Sequence, residues 1–90
     1  MSDLKKYIER QMDDPEFAEE YEAIRPEYDA IRAVIAARLE CNMTQKELAE
    51  KTGIRQSNIS RIENGTSSPT VDTLARIAAG MGKQLKIEFV

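Results

Sequence analysis

The segment from Thr44 to Gly65 constrains the fold of this 90-residue chain more than any other, because specific residues mark where its helices begin and end. Thr44 precedes Glu47 by three positions, which is the spacing of a capping box at a helix start. Gly53 can adopt the positive φ angle that ends a helix, and Asn64-Gly65 offers a second such end. These residues predict two short helices joined by a tight turn.

The apolar residues of this segment favour one particular arrangement of the two helices. Ala49 is small at the point where the helices must cross closely, and Gly53 lies in the turn between them. The inward contacts are expected from Leu48, Ile54, Ile59 and Ile62. This combination of a small residue, a glycine and apolar residues predicts a helix-turn-helix.

Three helices are predicted before this motif. Apolar residues repeat every four positions over residues 3–12, which favours a short helix there. Asp14 can cap a second helix, and Pro26 is expected to end it, because proline pushes the residue before it out of helical geometry. Pro26 can also begin a third helix that ends near Glu40. The third helix is expected to bury Tyr28, Ile31, Ile35 and Leu39.

The chain after the motif predicts one more helix and one strand. Thr70 can cap a helix that Gly82 ends, with Val71, Leu74, Ile77, Ala78 and Met81 facing inward. Residues 85–89 alternate apolar and charged side chains, which is typical of a strand. The expected fold is therefore all-α: a bundle of four or five helices built on the helix-turn-helix (residues 27–90), an N-terminal helical arm (residues 1–26) and one short C-terminal strand.

Several functional classes are disfavoured by what the sequence lacks. It contains no histidine and one cysteine, Cys41, and no glycine-rich phosphate loop. The usual general bases, metal-ligand clusters and cofactor motifs are therefore missing, and a binding protein without cofactor or metal is expected rather than an enzyme. No apolar run reaches the roughly 20 residues of a membrane span, and the N-terminus is too charged for a signal peptide, so a cytoplasmic location is expected.

The charge of the chain is divided unevenly. The N-terminal arm holds four basic residues against eight acidic ones, whereas residues 27–90 carry a net charge of +1. This asymmetry indicates two surfaces with two kinds of partner, one basic and the other a nucleic acid. An ordinary solvated helix face is the alternative explanation for the acidic arm.

The strings TQKELAEKTGI and ISRIENG resemble the lambda-repressor-like (XRE) helix-turn-helix family over residues 31–81. The resemblance implies that the second helix of the motif enters the major groove of operator DNA. It implies that Gln45 grips a phosphate, with Asn64 near the backbone, and that Arg38 pairs with Glu63 to hold the fold together. Arg55 stands where the family commonly has a capping Ser or Thr, and is expected to meet a phosphate instead. The implied base-reading residues are Gln56, Ser57, Asn58 and Arg61.

The sequence around the motif has a more specific resemblance. The strings DPEFAEEYEAIRPEYDAIRAVIAARLE and LKIEFV are similar to those of HigA-type antitoxins. Such proteins bind a small basic toxin, a HigB-like ribonuclease, and repress their own operon. The implied toxin contacts on the arm are Phe17, Glu20, Tyr21 and Ile24. A helix that merely packs on the body is the alternative for the arm, and a stand-alone XRE regulator or a protein-interaction module without a toxin is the alternative for the chain.

The predicted C-terminal strand needs a partner, because an isolated strand leaves backbone groups unpaired on both edges. Its apolar side chains Leu85, Ile87 and Phe89 also need a surface to cover them. The simplest solution is the same strand of a second copy, which would make a homodimer. A sheet of the toxin is the other candidate.

Overall fold

The computed structural model describes residues 14–90, which contain four helices in sequence. These are α1 (Pro15–Glu40), α2 (Gln45–Thr52), α3 (Gln56–Glu63) and α4 (Val71–Gly80). Helices α2 and α3 form the predicted helix-turn-helix, so the helical architecture is confirmed for this part of the chain. The helix predicted over residues 3–12 lies outside the described residues.

Helix α1 is continuous for 26 residues, so the predicted break at Pro26 is wrong. Proline removes one backbone hydrogen bond, and the carbonyl it leaves free belongs to Glu22, which is exposed and can be hydrated. Arg25 also lies 3.4 Å from Glu22 and 3.8 Å from Asp29, so ion pairs run along the helix on both sides of the proline. The arm and the body are therefore joined within one helix, and their division into two functional units remains a prediction.

The helix ends are where the capping residues predict them. The Thr44 hydroxyl accepts a hydrogen bond from the Glu47 amide at 3.0 Å, and the Glu47 carboxylate accepts one from the Thr44 amide at 3.0 Å. The backbone hydrogen bond from Thr44 is the largest cause that lowers the pKa of the Glu47 carboxylate, and a side-chain hydrogen bond from Thr44 adds to it. Gly53 ends α2 with a φ of 75°, and Thr70 caps α4. Capping thus defines both ends of α2 and the start of α4.

All four helices contribute to one small core. Its buried side chains are Val34, Leu48, Ile59, Ile62 and Ile77. Leu39 and Val71 were predicted to face inward, but each is 60% exposed. Leu39 is five residues from the buried Val34, and Val71 is six from Ile77, spacings that place each pair on different sides of a helix. The apolar patterns of α1 and α4 thus predicted the helices but misplaced one residue in each.

Arg38 and Glu63 form a partly buried ion pair between α1 and α3. The Arg38 Nε and Nη2 atoms donate to the two Glu63 oxygens at 2.7 and 2.8 Å, and Arg38 Nη1 donates to the Met43 carbonyl at 2.9 Å. Gln45 Nε2 donates to Glu63 at 3.0 Å. The side chains of Arg38 and Glu63 are 13% and 7% exposed. This network fixes the end of α3 against the start of α2.

The predicted C-terminal strand is wrong for the single chain. The segment 83–90, here called the C-terminal segment, has no strand, and no strand exists elsewhere in residues 14–90 to pair with it. A strand gains its backbone hydrogen bonds only from a neighbour, so alternation alone does not form one. Ile87 and Phe89 remain largely exposed as a result.

Gly80 allows α4 to pack closely on the end of α2. A Cβ atom at Gly80 would lie 2.5 Å from Thr52 Cγ2. The Thr52 hydroxyl donates to the Leu48 carbonyl at 2.8 Å and accepts from the Ile54 amide at 3.2 Å. Thr52 therefore braces the turn with its hydroxyl while its methyl group occupies the space that a larger residue at position 80 would need.

Replacing Gly80 with alanine should destabilise the protein by about 1–3 kcal/mol through overpacking, although alanine favours a helix by roughly 1 kcal/mol over glycine. In a Thr52→Ser background, which removes the methyl group and keeps the hydroxyl, the same change should be neutral or stabilising. Chemical denaturation of the four proteins in this cycle measures both effects. Stabilisation by Gly80→Ala in the natural background would contradict the close contact.

Replacing Glu63 with alanine should cost about 1.5–3 kcal/mol of unfolding free energy, because it leaves the partly buried guanidinium of Arg38 without its carboxylate. The exposed Glu50, on α2, provides the matched control, and Glu50→Ala should change stability by less than about 0.5 kcal/mol. Urea denaturation at neutral pH makes the comparison. Equal stabilities of the two variants would show that the ion pair does not hold the fold.

The contribution of Glu63 should also depend on pH. Burial raises its pKa, but hydrogen bonds from Arg38 and Gln45 and the Arg38 charge more than offset this, so the net pKa lies below the ordinary value of 4.5. Because the folded pKa is the lower one, the stabilisation is complete above the unfolded pKa and disappears as the pH falls through the folded pKa. The stability difference between the natural protein and Glu63→Ala should therefore be constant near neutral pH and shrink in acid.

Candidate nucleic-acid interface

Helix α3 has one buried face and one polar, solvent-facing side. Ile59 and Ile62 are buried in the core. The four side chains predicted to read bases are all exposed: Gln56, Ser57, Asn58 and Arg61. Amide, hydroxyl and guanidinium groups are the donors and acceptors that base edges in the major groove match. This side of α3 is consequently the candidate interface.

The start of α3 leaves backbone donors available. Arg55 occupies the cap position, with an extended backbone and no side-chain capping hydrogen bond, as its sequence position predicts. Its carbonyl accepts from the amides of Asn58 and Ile59 at 3.0 and 3.1 Å. The amides of Gln56 and Ser57 precede these and have no acceptor within the helix. Together with the exposed Arg55 side chain, they can bind an anion.

Gln45 is the first residue of α2, and its side chain belongs to the Arg38–Glu63 network. The side-chain amide uses one hydrogen for Glu63, and an amide NH₂ group carries two. The second hydrogen and the backbone amides of the first turn of α2 remain as donors for a phosphate. The network therefore orients Gln45 without using all of its hydrogen-bonding capacity.

Asn64 follows Glu63 directly and ends α3. Its side-chain oxygen accepts a hydrogen bond from the Thr66 amide at 3.0 Å, and the Thr66 amide also donates to the Arg61 carbonyl at 2.9 Å. Asn64 thus shapes the loop after α3, a role that the sequence did not indicate. Its side-chain NH₂ group is still a possible donor to a phosphate.

The residues predicted to bind a toxin lie on the first half of α1. The Phe17 and Tyr21 rings stack with their centroids 6.3 Å apart, so they share one side of the helix as predicted. Glu20 is exposed, and Ile24 is 54% exposed. Ile24 also lines a shallow groove with Tyr28 and the end of α3. The arm therefore offers apolar and acidic groups side by side.

The residues predicted to make a dimer border a second groove. Leu85 and Ile87 line it together with α1 and α4, and its volume is about 590 Å³. The remainder of its wall is mostly small or apolar, from Ala30, Ala33, Ala37, Leu74 and Ala78. Phe89 is fully exposed beyond the groove.

Arg76 is a structural contact that the sequence analysis missed. Its Nη2 atom donates to the Thr52 carbonyl at 3.2 Å and so links α4 to the turn of the motif. An arginine on an exposed helix face gives no sequence signal for such a bond.

Residues 14–90 contain no group of three or more acidic, cysteine or histidine side chains placed to hold a metal ion. No helix in this range is long and apolar enough to cross a membrane.

Comparison with protein families identifies the motif independently. The helix-turn-helix family model (HTH_3) matches residues 34–87, which is more than half of the chain. The match runs from the middle of α1 through α4 and includes every residue of the candidate interface.

Individual relatives match different lengths of the chain. It is 34% identical over 86 residues to "Antitoxin HigA1" of Mycobacterium tuberculosis, an alignment that covers 94% of this chain and 58% of that protein. It is 37% identical over 57 residues to an "Uncharacterized HTH-type transcriptional regulator" of Haemophilus influenzae, covering 63% of this chain and 58% of the relative. The chain thus spans less than two thirds of the length of either protein.

No solved structure matches the chain significantly. The family model and the name of the Haemophilus relative both describe a helix-turn-helix, and residues 14–90 contain such a pair of helices. The chain belongs to the XRE-type helix-turn-helix family.

Proposed function

We propose that this protein is a sequence-specific DNA-binding transcriptional repressor. The observation that carries the proposal is the polar, exposed side of α3, whose end is held by a partly buried ion pair. A glutamine can bridge N6 and N7 of adenine, and an arginine can bridge O6 and N7 of guanine. Gln56 and Arg61 are therefore the proposed base readers, with Ser57 and Asn58 beside them.

Two ends of the motif supply contacts to the DNA backbone in this proposal. Gln45 and the first amides of α2 bind one phosphate. Asn64 follows Glu63, the residue that accepts a hydrogen bond from Gln45. Arg55 binds a phosphate at the start of α3. Phosphate contacts orient a protein on DNA without reading sequence, which separates their role from that of the base readers.

We further propose that the protein is the antitoxin of a type II toxin-antitoxin pair and represses its own operon. The alignment with the Mycobacterium antitoxin covers 94% of this chain, so it extends across the acidic arm as well as the motif. The arm places exposed carboxylates next to the stacked Phe17 and Tyr21 rings and the exposed Ile24. A small basic ribonuclease toxin fits this combination, because apolar groups supply affinity and charges guide association.

A homodimer is proposed through the C-terminal segment. Leu85, Ile87 and Phe89 expose apolar surface that a neighbouring chain would cover, and pairing would turn the alternating segment into a strand. A twofold dimer would also place two copies of α3 about one DNA turn apart, roughly 34–36 Å. The toxin is the other candidate neighbour for this segment.

A regulator without a toxin is the second candidate function. The Haemophilus relative is described only as a transcriptional regulator, and its alignment covers 63% of this chain. Co-expression with the adjacent reading frame distinguishes the two candidates. Co-purification of a small basic protein whose toxicity disappears supports the antitoxin, and the absence of such a protein supports the stand-alone regulator.

Alanine at Gln56 or Arg61 should each weaken operator binding by about 1–3 kcal/mol and relax specificity at one base pair. Gln45→Ala should instead weaken binding to all sequences alike, because it removes a phosphate contact. Titrations of the operator and of an unrelated duplex measure both properties. Normal operator binding by both α3 variants would place the recognition surface elsewhere.

Alanine at Phe17 or Tyr21 should weaken toxin binding by about 2 kcal/mol or more, whereas Glu20→Gln should mainly slow association and reduce its salt dependence. Binding kinetics with the purified toxin give affinity and rate together. Operator binding by the same variants is the control and should not change. If both aromatic variants neutralise the toxin normally, the arm is not the toxin-binding surface.

A chain ending at Gln84 should be monomeric if the C-terminal segment makes the dimer. The residues removed are exposed and outside the core, so the helices should remain folded. Light scattering coupled to size exclusion compares the two lengths, with circular dichroism as the folding control. An unchanged dimer would refute pairing through this segment.

A further inference from the structure

A polar groove of about 410 Å³ lies on the flank of α3. The turn after α2, the loop before α4 and the first half of α4 form its walls. Its polar lining comes from Arg55, Asn58, Ser67, Thr70, Thr73 and Arg76. No carboxylate lines this groove among the described residues, although the whole chain has a net charge of −3. We refer to it as the arginine groove.

Arg76 is held in place at the edge of this groove. Its Nη2 atom donates to the Thr52 carbonyl at 3.2 Å, and the same atom would lie 3.8 Å from a Cβ atom placed on Gly53. A guanidinium group has five N–H donors, and this bond uses one of them. The other donors are available to a ligand. Because the bond to Thr52 already restricts the Arg76 side chain, binding a ligand would cost less side-chain entropy.

The hydroxyl groups of the groove are organised by helix capping. Thr70 accepts a hydrogen bond from the Thr73 amide at 3.1 Å, and the two hydroxyls lie 2.9 Å apart. Ser68 also lines the groove, but its hydroxyl bonds to Glu27 of α1, so it is not assigned to a ligand. Asp72 lies in the first turn of α4 without lining the groove. The groove therefore presents positive charge and hydrogen-bond donors without a competing carboxylate.

The position of the groove indicates where its ligand comes from. Asn58 lines it and also belongs to the exposed side of α3, three residues before Arg61. A DNA duplex read by α3 would bring one of its backbones past this flank. Gln45, the other proposed phosphate contact, lies elsewhere, where it bonds to Glu63 at the end of α3. The geometry points to the arginine groove as a binding site for a backbone phosphate of the operator, with Arg76 as a phosphate-binding residue alongside Arg55.

This inference rests on the proposed DNA-binding function and is tested through the salt dependence of binding. Each phosphate contact to duplex DNA contributes about 0.9 to the slope of log affinity against log salt concentration. Arg76→Gln removes the charge and retains an amide that can donate to the Thr52 carbonyl. Arg55→Gln removes the second charge. Arg25→Gln is the matched control, because within residues 14–90 Arg25 forms its ion pairs along α1, with Glu22 and Asp29.

We expect Arg76→Gln and Arg55→Gln each to reduce the slope by about one and to weaken operator and unrelated duplex by the same factor. Arg25→Gln should leave slope and affinity unchanged. Thermal unfolding of each variant verifies that it is folded. Slopes equal to that of the natural protein would overturn the groove as a phosphate site while leaving DNA binding by α3 intact. Failure of the natural protein to bind any duplex would overturn the proposed function itself.

Titration with inorganic phosphate separates a backbone phosphate from a free one. Nuclear magnetic resonance of the arginine side-chain N–H groups reports contact with either. Signals of Arg55 and Arg76 that shift with operator DNA, and shift only weakly with millimolar phosphate, support the backbone assignment. Saturation by free phosphate without any effect of the variants on DNA binding would overturn it.

Discussion

The partly buried pairing of Arg38 with Glu63 is the interaction on which the arrangement of this small protein depends. Helix α3 has only eight residues, which is shorter than the roughly 12–15 residues an isolated helix needs to be stable in water. It also lacks a side-chain cap at its start. Its orientation must therefore come from tertiary contacts, and the ion pair provides them at the opposite end. Two buried isoleucines complete the support.

A second set of contacts fixes α2 from the side of α4. The Thr52 hydroxyl satisfies the last turn of α2, its methyl group lies against Gly80, and Arg76 bonds its carbonyl. Thr52 thus holds the turn of the motif through contacts with the last turn of α2, Gly80 and Arg76. With only five buried apolar side chains in the described part of the chain, such polar contacts at both ends of the motif supply much of the specificity of the fold.

The sequence predicts local signals well and long-range ones poorly. Thr44, Gly53 and Thr70 mark helix ends because capping depends on neighbouring residues alone. The Arg38–Glu63 pair came from resemblance, since no local pattern links residues 25 positions apart. The predicted helix end at Pro26 was wrong because the cost of a proline within a helix depends on whether the carbonyl that it leaves free is hydrated. The strand predicted over residues 85–89 was wrong because a strand needs a partner strand. The bond of Arg76 gave no sequence signal because its acceptor is a backbone carbonyl on another helix.

The continuity of α1 has a geometric consequence for anything that binds to its first turns. A helix of 26 residues is about 39 Å long and turns by about 100° per residue. A ligand bound at Tyr21 is therefore held at a fixed distance from α3 and in a fixed direction relative to it. One residue inserted near Pro26 would rotate that ligand by about 100°, whereas seven would return it nearly to its original bearing. If both proposed partners bind, a change in the length of this one helix would alter the angle between them without altering either proposed binding surface.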